Sequence, residues 1–204
     1  MFSPDSKIMQ IAGRITDLIW LNFLYLITYL PIVTIGAATT ALYCQCYSLM
    51  REEYGSITKT YFKAMKANFK TATAAWGILL AAAVPAVIYL TRVAQLDGML
   101  RYSGLFFILI LMAAMMTASY VFPWISQFEN TAGQSLKNAL ILSISRLPRT
   151  AAVLVINLMP VLVWYINGDL FLQISFLWIA LYFAAAAYMN TGLLWHVFKP
   201  YRTQ

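Results

Sequence analysis

One histidine, two cysteines and seven acids are all that this 204-residue chain offers for acid–base, nucleophilic or metal chemistry. A metal site needs several ligands brought together, and acid–base catalysis needs groups placed within reach of each other. His196 has no second histidine to work with. It follows Trp195 near the end of an apolar run, where an interfacial aromatic belt would lie. Cys44 and Cys46 are two residues apart, so on a helix they project about 200° from each other and cannot pair or share a metal. They read as packing residues. Asp5 and Asp17 lie near the N-terminus, Glu52, Glu53 and Glu129 in charged connections, and Asp97 and Asp169 in short loops. None falls at the centre of an apolar run, where an ion-coupled transporter usually carries an ionisable group. The expectation is a non-enzymatic protein with no catalytic residues, no cofactor and no metal.

Two other sets of residues could still carry function. Asn22, Asn157 and Asn190, with Thr28 and Ser119, are polar positions inside apolar runs. Amides there can bond helix to helix, at about 0.6 kcal/mol apiece, or line a path for a sugar or peptide. Lys59, Lys63, Lys66 and Lys70 form the second set. At 100° per residue they share an arc of about 60°, opposite an apolar stripe of Ile57, Tyr61, Phe62, Met65 and Phe69. That pattern fits a helix over 56–70 lying in a membrane interface, its lysines on anionic headgroups. A solvated face on a connecting helix that packs on the bundle would give the same pattern.

The elements that must position these residues are written in the composition. Apolar residues are 62% of the chain and charged ones 10%, where a soluble domain carries roughly 25% charged. Residues 71–91, 102–127, 150–168 and 170–198 hold no acid, lysine or arginine. A helix needs about 20 apolar residues to cross a bilayer core, and these runs supply them. The chain therefore reads as one all-α integral membrane domain over 1–204, a polytopic transmembrane helix bundle. Its net charge of +7 points to topology and to anionic lipid at the inner face, not to nucleic acid.

The first apolar region, about residues 8–50, is too long for one span. Pro31 removes a helix hydrogen bond and Gly36 relaxes the backbone, which together suggest a hairpin turn. About six spans follow: 8–30, 35–50, 71–91, 102–122, 150–166 and 170–190. Five, with a single kinked span over the first region, is the alternative. In the six-span arrangement both termini are cytoplasmic, and of the 14 lysines and arginines only Arg92 and Arg101 lie outside. That obeys the positive-inside rule better than five spans do. A parallel internal repeat is also suggested. Thr40-Ala41-Leu42-Tyr43 returns as Thr117-Ala118-Ser119-Tyr120, and Pro85 and Pro160 occupy similar places in the following runs.

Specific strings add to this. Asp17-Leu-Ile-Trp-Leu-Asn22 and Leu30-Pro-Ile-Val-Thr-Ile-Gly36-Ala-Ala-Thr-Thr-Ala-Leu-Tyr43 resemble the signature of the YesL-like family. Phe62-Lys-Ala-Met-Lys-Ala-Asn-Phe69, Leu136-Lys-Asn-Ala139 and Leu147-Pro-Arg-Thr150 are similar too, so the resemblance covers nearly the whole chain. These are bacterial integral membrane proteins, a domain of unknown function typical of Gram-positive bacteria and often encoded beside sugar-uptake genes. The resemblance implies a plasma-membrane protein accessory to carbohydrate uptake or its regulation, with importer or sensor subunits as partners. A small carrier or channel acting alone is the other reading.

Overall fold

The computed structural model describes residues 7–53, 55–93 and 102–201, with backbone alone for 7–11. Asp97 and both chain ends, on which part of the expected topology rests, lie outside the described residues. Helices α1 (Lys7–Tyr29) and α2 (Ile35–Met50) flank a short 3-10 turn, Ile32–Thr34. The long α3 (Ile57–Val93) follows, then α4 (Gly104–Ile125), α5 (Ala132–Ser145) and α6 (Leu147–Ile166). The chain ends with α7 (Gly168–Gln173), α8 (Ser175–Leu177), a π-helical turn (Trp178–Tyr182) and α9 (Phe183–Phe198). No strand occurs among the described residues.

The hairpin at Pro31 is present. Pro31 is extended, at φ −75° and ψ 124°, and so ends the path of α1. The two helices run antiparallel. Arg14 meets Glu52 at the open end (2.7 Å), and Tyr25 shares a hydrogen bond with Thr39 nearer the turn (3.4 Å). Arg14 thus pairs across the hairpin. The small residues of α2 place it at the centre: Gly36, Ala37, Ala38, Thr40 and Ala41 are all buried. α3 lies so close that a Cβ on Gly36 would come within 2.4 Å of the Ala72 carbonyl oxygen.

Among the described residues, five helical stretches are long and apolar enough to cross a membrane: Ile32–Met50, Ile57–Val93, Gly104–Ile125, Leu147–Ile166 and Ser175–Tyr201. The protein is an all-α polytopic helix bundle. α1, expected as the first of six spans, is not among the five; Arg14, Asp17 and Asn22 make it more polar than the rest. The expected separation between an interfacial helix over 56–70 and a span over 71–91 is also absent. One helix of 37 residues runs through both, about 55 Å long. Neither proline nor glycine interrupts it before Gly77, so nothing in the backbone breaks it at Lys70. The run expected as a span over 170–190 is divided at Ile174, and its main helix continues to Phe198.

The helix boundaries repeat. Met50 and Ile125 end their helices 75 residues apart, Ile57 and Ala132 begin theirs 75 apart, and Pro85 and Pro160 keep the same offset. The first copy is α2–α3 and the second is the end of α4 with α5–α6. They differ at one place. Where α3 is continuous, the second copy breaks at Arg146, with Pro148 in the first turn of α6. α2 and α4 end side by side, for the Cys44 thiol donates to the Ser126 carbonyl (3.5 Å) and Arg51 bonds Gln127. The copies therefore run in the same direction. Tyr47, Tyr61, Tyr120 and Phe198 are fully buried in the bundle. Of the apolar stretches of α3 and α6 only 17% and 11% are buried, which leaves most of their surface for lipid.

Candidate functional site

A cavity of about 350 Å³ lies between the two copies. The first contributes Thr39, Tyr43 and Trp76, the second Ser119, Phe122 and Asn157, while α1 adds Tyr25 and Tyr29. Tyr182 and Phe183 come from the junction of the π-helical turn with α9. Among the described residues, no acid, lysine, arginine or histidine lines it. An ion would be desolvated there without a counter-charge, so the site favours an uncharged occupant. Aromatic faces supply apolar surface, and a few amides and hydroxyls can orient a polar guest.

The amides are held by one another. Asn190 Nδ2 donates to Asn157 Oδ1 (2.7 Å) and to the Tyr43 hydroxyl (3.3 Å). Asn190 is fully buried, and its Oδ1 has no partner among the described residues. A buried acceptor left open costs about 1–3 kcal/mol. Asn157 lines the cavity with its own Oδ1 occupied and is itself exposed, which leaves its Nδ2 donors unspent by Asn190. The two asparagines thus form one unit, partly structural and partly available.

Asn22 works elsewhere. The π-helical turn displaces the usual hydrogen-bond ladder, and Asn22 bridges the gap. Its Nδ2 donates to the Ile179 carbonyl (2.7 Å), and its Oδ1 accepts from the Ala184 backbone N–H (2.9 Å). Asn22 is fully buried, so both bonds form without water. It fixes the turn that carries Tyr182 to the cavity wall. Asn22→Leu should leave two backbone groups unpaired, at about 1–3 kcal/mol each. A drop in the thermal midpoint of the detergent-purified protein of several degrees checks this; an unchanged midpoint would deny Asn22 its bridging role.

Lys59, Lys63, Lys66 and Lys70 are all exposed on the first turns of α3, and none lines the cavity. The opposite stripe faces protein. Tyr61 is fully buried, its hydroxyl bonded to Thr28 (2.6 Å) and donated to the Ala38 carbonyl (3.4 Å). Gln45 Nε2 reaches the Ile57 carbonyl (2.6 Å), so this helix packs on the hairpin. Phe62 and Phe69 remain partly exposed at its edges. A second, smaller cavity at the open end of the hairpin is lined by Arg14, Asp17, Glu52 and Glu53. No group of three or more histidines, cysteines or acids among the described residues could hold a metal.

The tyrosines of the cavity escaped the sequence reading. Tyrosine in a span usually sits at its ends, so Tyr25, Tyr43 and Tyr182 far from any charge were the available signal.

Residues 18–90, about a third of the chain, match a family described as "Protein of unknown function, DUF624". That stretch carries most of α1, all of α2 and most of α3, hence the hairpin, the lysines and the cavity residues from Tyr25 to Trp76. No curated protein and no solved structure matches the chain.

Proposed function

We propose that this is a non-enzymatic integral membrane protein of the bacterial plasma membrane that serves carbohydrate uptake or its regulation, and that it binds an uncharged sugar in the central cavity. The cavity lining carries this reading. A neutral sugar presents apolar ring faces and many hydroxyls, which suit tyrosine and tryptophan faces interrupted by Asn157, Ser119 and Thr39. The resemblance to the YesL-like family supports the link to carbohydrate, and importer or sensor subunits are the proposed partners. The same reading puts both termini in the cytoplasm by the positive-inside rule, with Lys59 to Lys70 toward anionic lipid at that face.

The placement of the cavity favours a second reading, a small carrier acting alone. Carriers built from repeats often bind their solute at the interface between the copies. Sugar flux into proteoliposomes containing only this protein separates the two, since an accessory protein binds without transport.

The direct test is titration of glucose, maltose and sucrose against the protein in lipid nanodiscs, followed by calorimetry. Saturable binding of at least one neutral sugar is expected. Asn157→Leu should weaken it tenfold or more, equal to about 1.4 kcal/mol. Absence of binding by all three, or equal binding by wild type and variant, would remove the sugar from this cavity.

A further inference from the structure

The α1–α2 hairpin turns beside the middle of its neighbours, not beside their ends. Trp76 Nε1 donates to the Ile32 carbonyl (3.0 Å), and Thr73 Oγ1 donates to the Val33 carbonyl (3.4 Å). From Trp76, α3 continues to Val93, a further 25 Å or so at the helical rise. Tyr29 and Ile35, on either side of the turn, share the cavity wall with Met115 and Leu158, which lie near the middles of α4 and α6. A hairpin of two complete crossings would instead bring its turn level with the far ends of these helices.

The chemistry of the turn fits a place inside the hydrocarbon. Non-helical backbone at that depth must find its hydrogen bonds in protein or beside a cavity. Here the carbonyls of Thr28, Pro31, Ile32 and Val33 each find a donor in the protein. Thr34 Oγ1 donates to the Thr28 carbonyl (2.6 Å), and the Pro31 carbonyl accepts from both Thr34 N (3.0 Å) and Thr34 Oγ1 (2.8 Å). Ile32 and Val33 are served by α3, and Pro31 has no N–H to satisfy. The side chains point the opposite way: Leu30, Ile32 and Val33 are 80%, 67% and 60% exposed. In water such a tip would carry polar turn residues and leave its carbonyls to solvent.

We propose that the α1–α2 hairpin is re-entrant: it enters the bilayer from the side bearing Lys59 to Lys70, turns at Pro31 among the acyl chains, and returns to that side. Leu30, Ile32 and Val33 contact lipid tails, while the polar backbone of the turn faces α3 and the cavity. The hairpin then closes the cavity toward the lysine side. This holds whatever the cavity binds.

Nitroxide labels at Leu30→Cys and Ile32→Cys, in a Cys44→Ala, Cys46→Ala background in nanodiscs, test the proposal by collision with oxygen and with a water-soluble nickel chelate. Labels at Glu53→Cys and Asp169→Cys serve as aqueous references on the two sides. Oxygen contact well above nickel contact is expected at both hairpin positions. Nickel contact equal to that at Asp169→Cys would overturn the proposal and make the hairpin a full crossing. Hydrogen exchange on the unmodified protein gives an independent reading. Amides over 32–36 should exchange as slowly as those in the middle of α4, and exchange as fast as that around Asn167 would equally overturn it.

Discussion

Valine in place of Gly36 is expected to give a protein that cannot assemble its hairpin on α3. Even a methyl group there would lie 2.4 Å from the Ala72 carbonyl oxygen and 2.9 Å from the Ala72 carbonyl carbon and Trp76 Cβ. These are backbone atoms and a side-chain root, which no rotamer change can move aside. Overpacking of this kind costs about 1–3 kcal/mol for added methylenes that can be partly accommodated, and more where backbone must separate. Separation of α2 from α3 would also break the bonds of Tyr61 with Thr28 and of Trp76 with Ile32. Membrane yield of monodisperse protein should fall to a small fraction of wild type, with Gly36→Ala intermediate. Wild-type stability for Gly36→Val, measured by thermal unfolding in detergent, would show that the two helices do not approach this closely.

The next largest effect is expected from glutamate at all four of Lys59, Lys63, Lys66 and Lys70. The change takes the formal net charge from +7 to −1 and removes up to about 1 kcal/mol of attraction to an anionic leaflet per site. It also removes the largest block of charge that would orient the flanking spans. Since Tyr61 and its stripe face the hairpin, the fold itself should survive, because the lysines are exposed. Arginine at all four positions should behave as wild type, where charge and not donor geometry matters. Protease protection of this segment in vesicles gives the readout. Wild type should be better protected with anionic than with neutral lipid, and the glutamate variant should lose that difference. Equal protection of wild type in both lipids would leave the lysines as a solvated face.

Much of this fold was legible because membrane helices announce themselves by length and composition. Pro31 and Gly36 were visible as turn signals, since a lost hydrogen bond and a missing Cβ act locally; Pro31 stands extended between α1 and α2, and Gly36 lies against Ala72. The run over 57–70 was harder. Its amphipathic pattern shows that one face is covered but not by what; Ile57 and Tyr61 bond to Gln45 and Ala38 of the hairpin, Met65 packs against the core, and the helix simply continues. The role of Asn22 was out of reach altogether. It depends on a π-helical turn whose open groups are at Ile179 and Ala184, and no pattern near Asn22 encodes them. Asn157 and Asn190 were visible as polar residues in apolar runs, yet their pairing beside Tyr43 is set by the packing of α6 on α9. The tyrosines of the cavity were lost among thirteen in the chain.

The break at Arg146 gives the two copies different mechanics. α3 is a single rod, and a rod transmits a push at one end to the other with little change in direction. α5 and α6 are two rods joined at a corner, and load applied to α5 tends to turn it about that corner, against the packing that buries Ser135, Ala139, Leu142 and Ser143. Thr150 limits the rotation, because its hydroxyl ties α6 to both Tyr120 (2.9 Å) and the Ser143 carbonyl (2.7 Å). A force applied at the ends of these helices therefore meets a strut in one half of the molecule and a latched elbow in the other, and the cavity lies between the two.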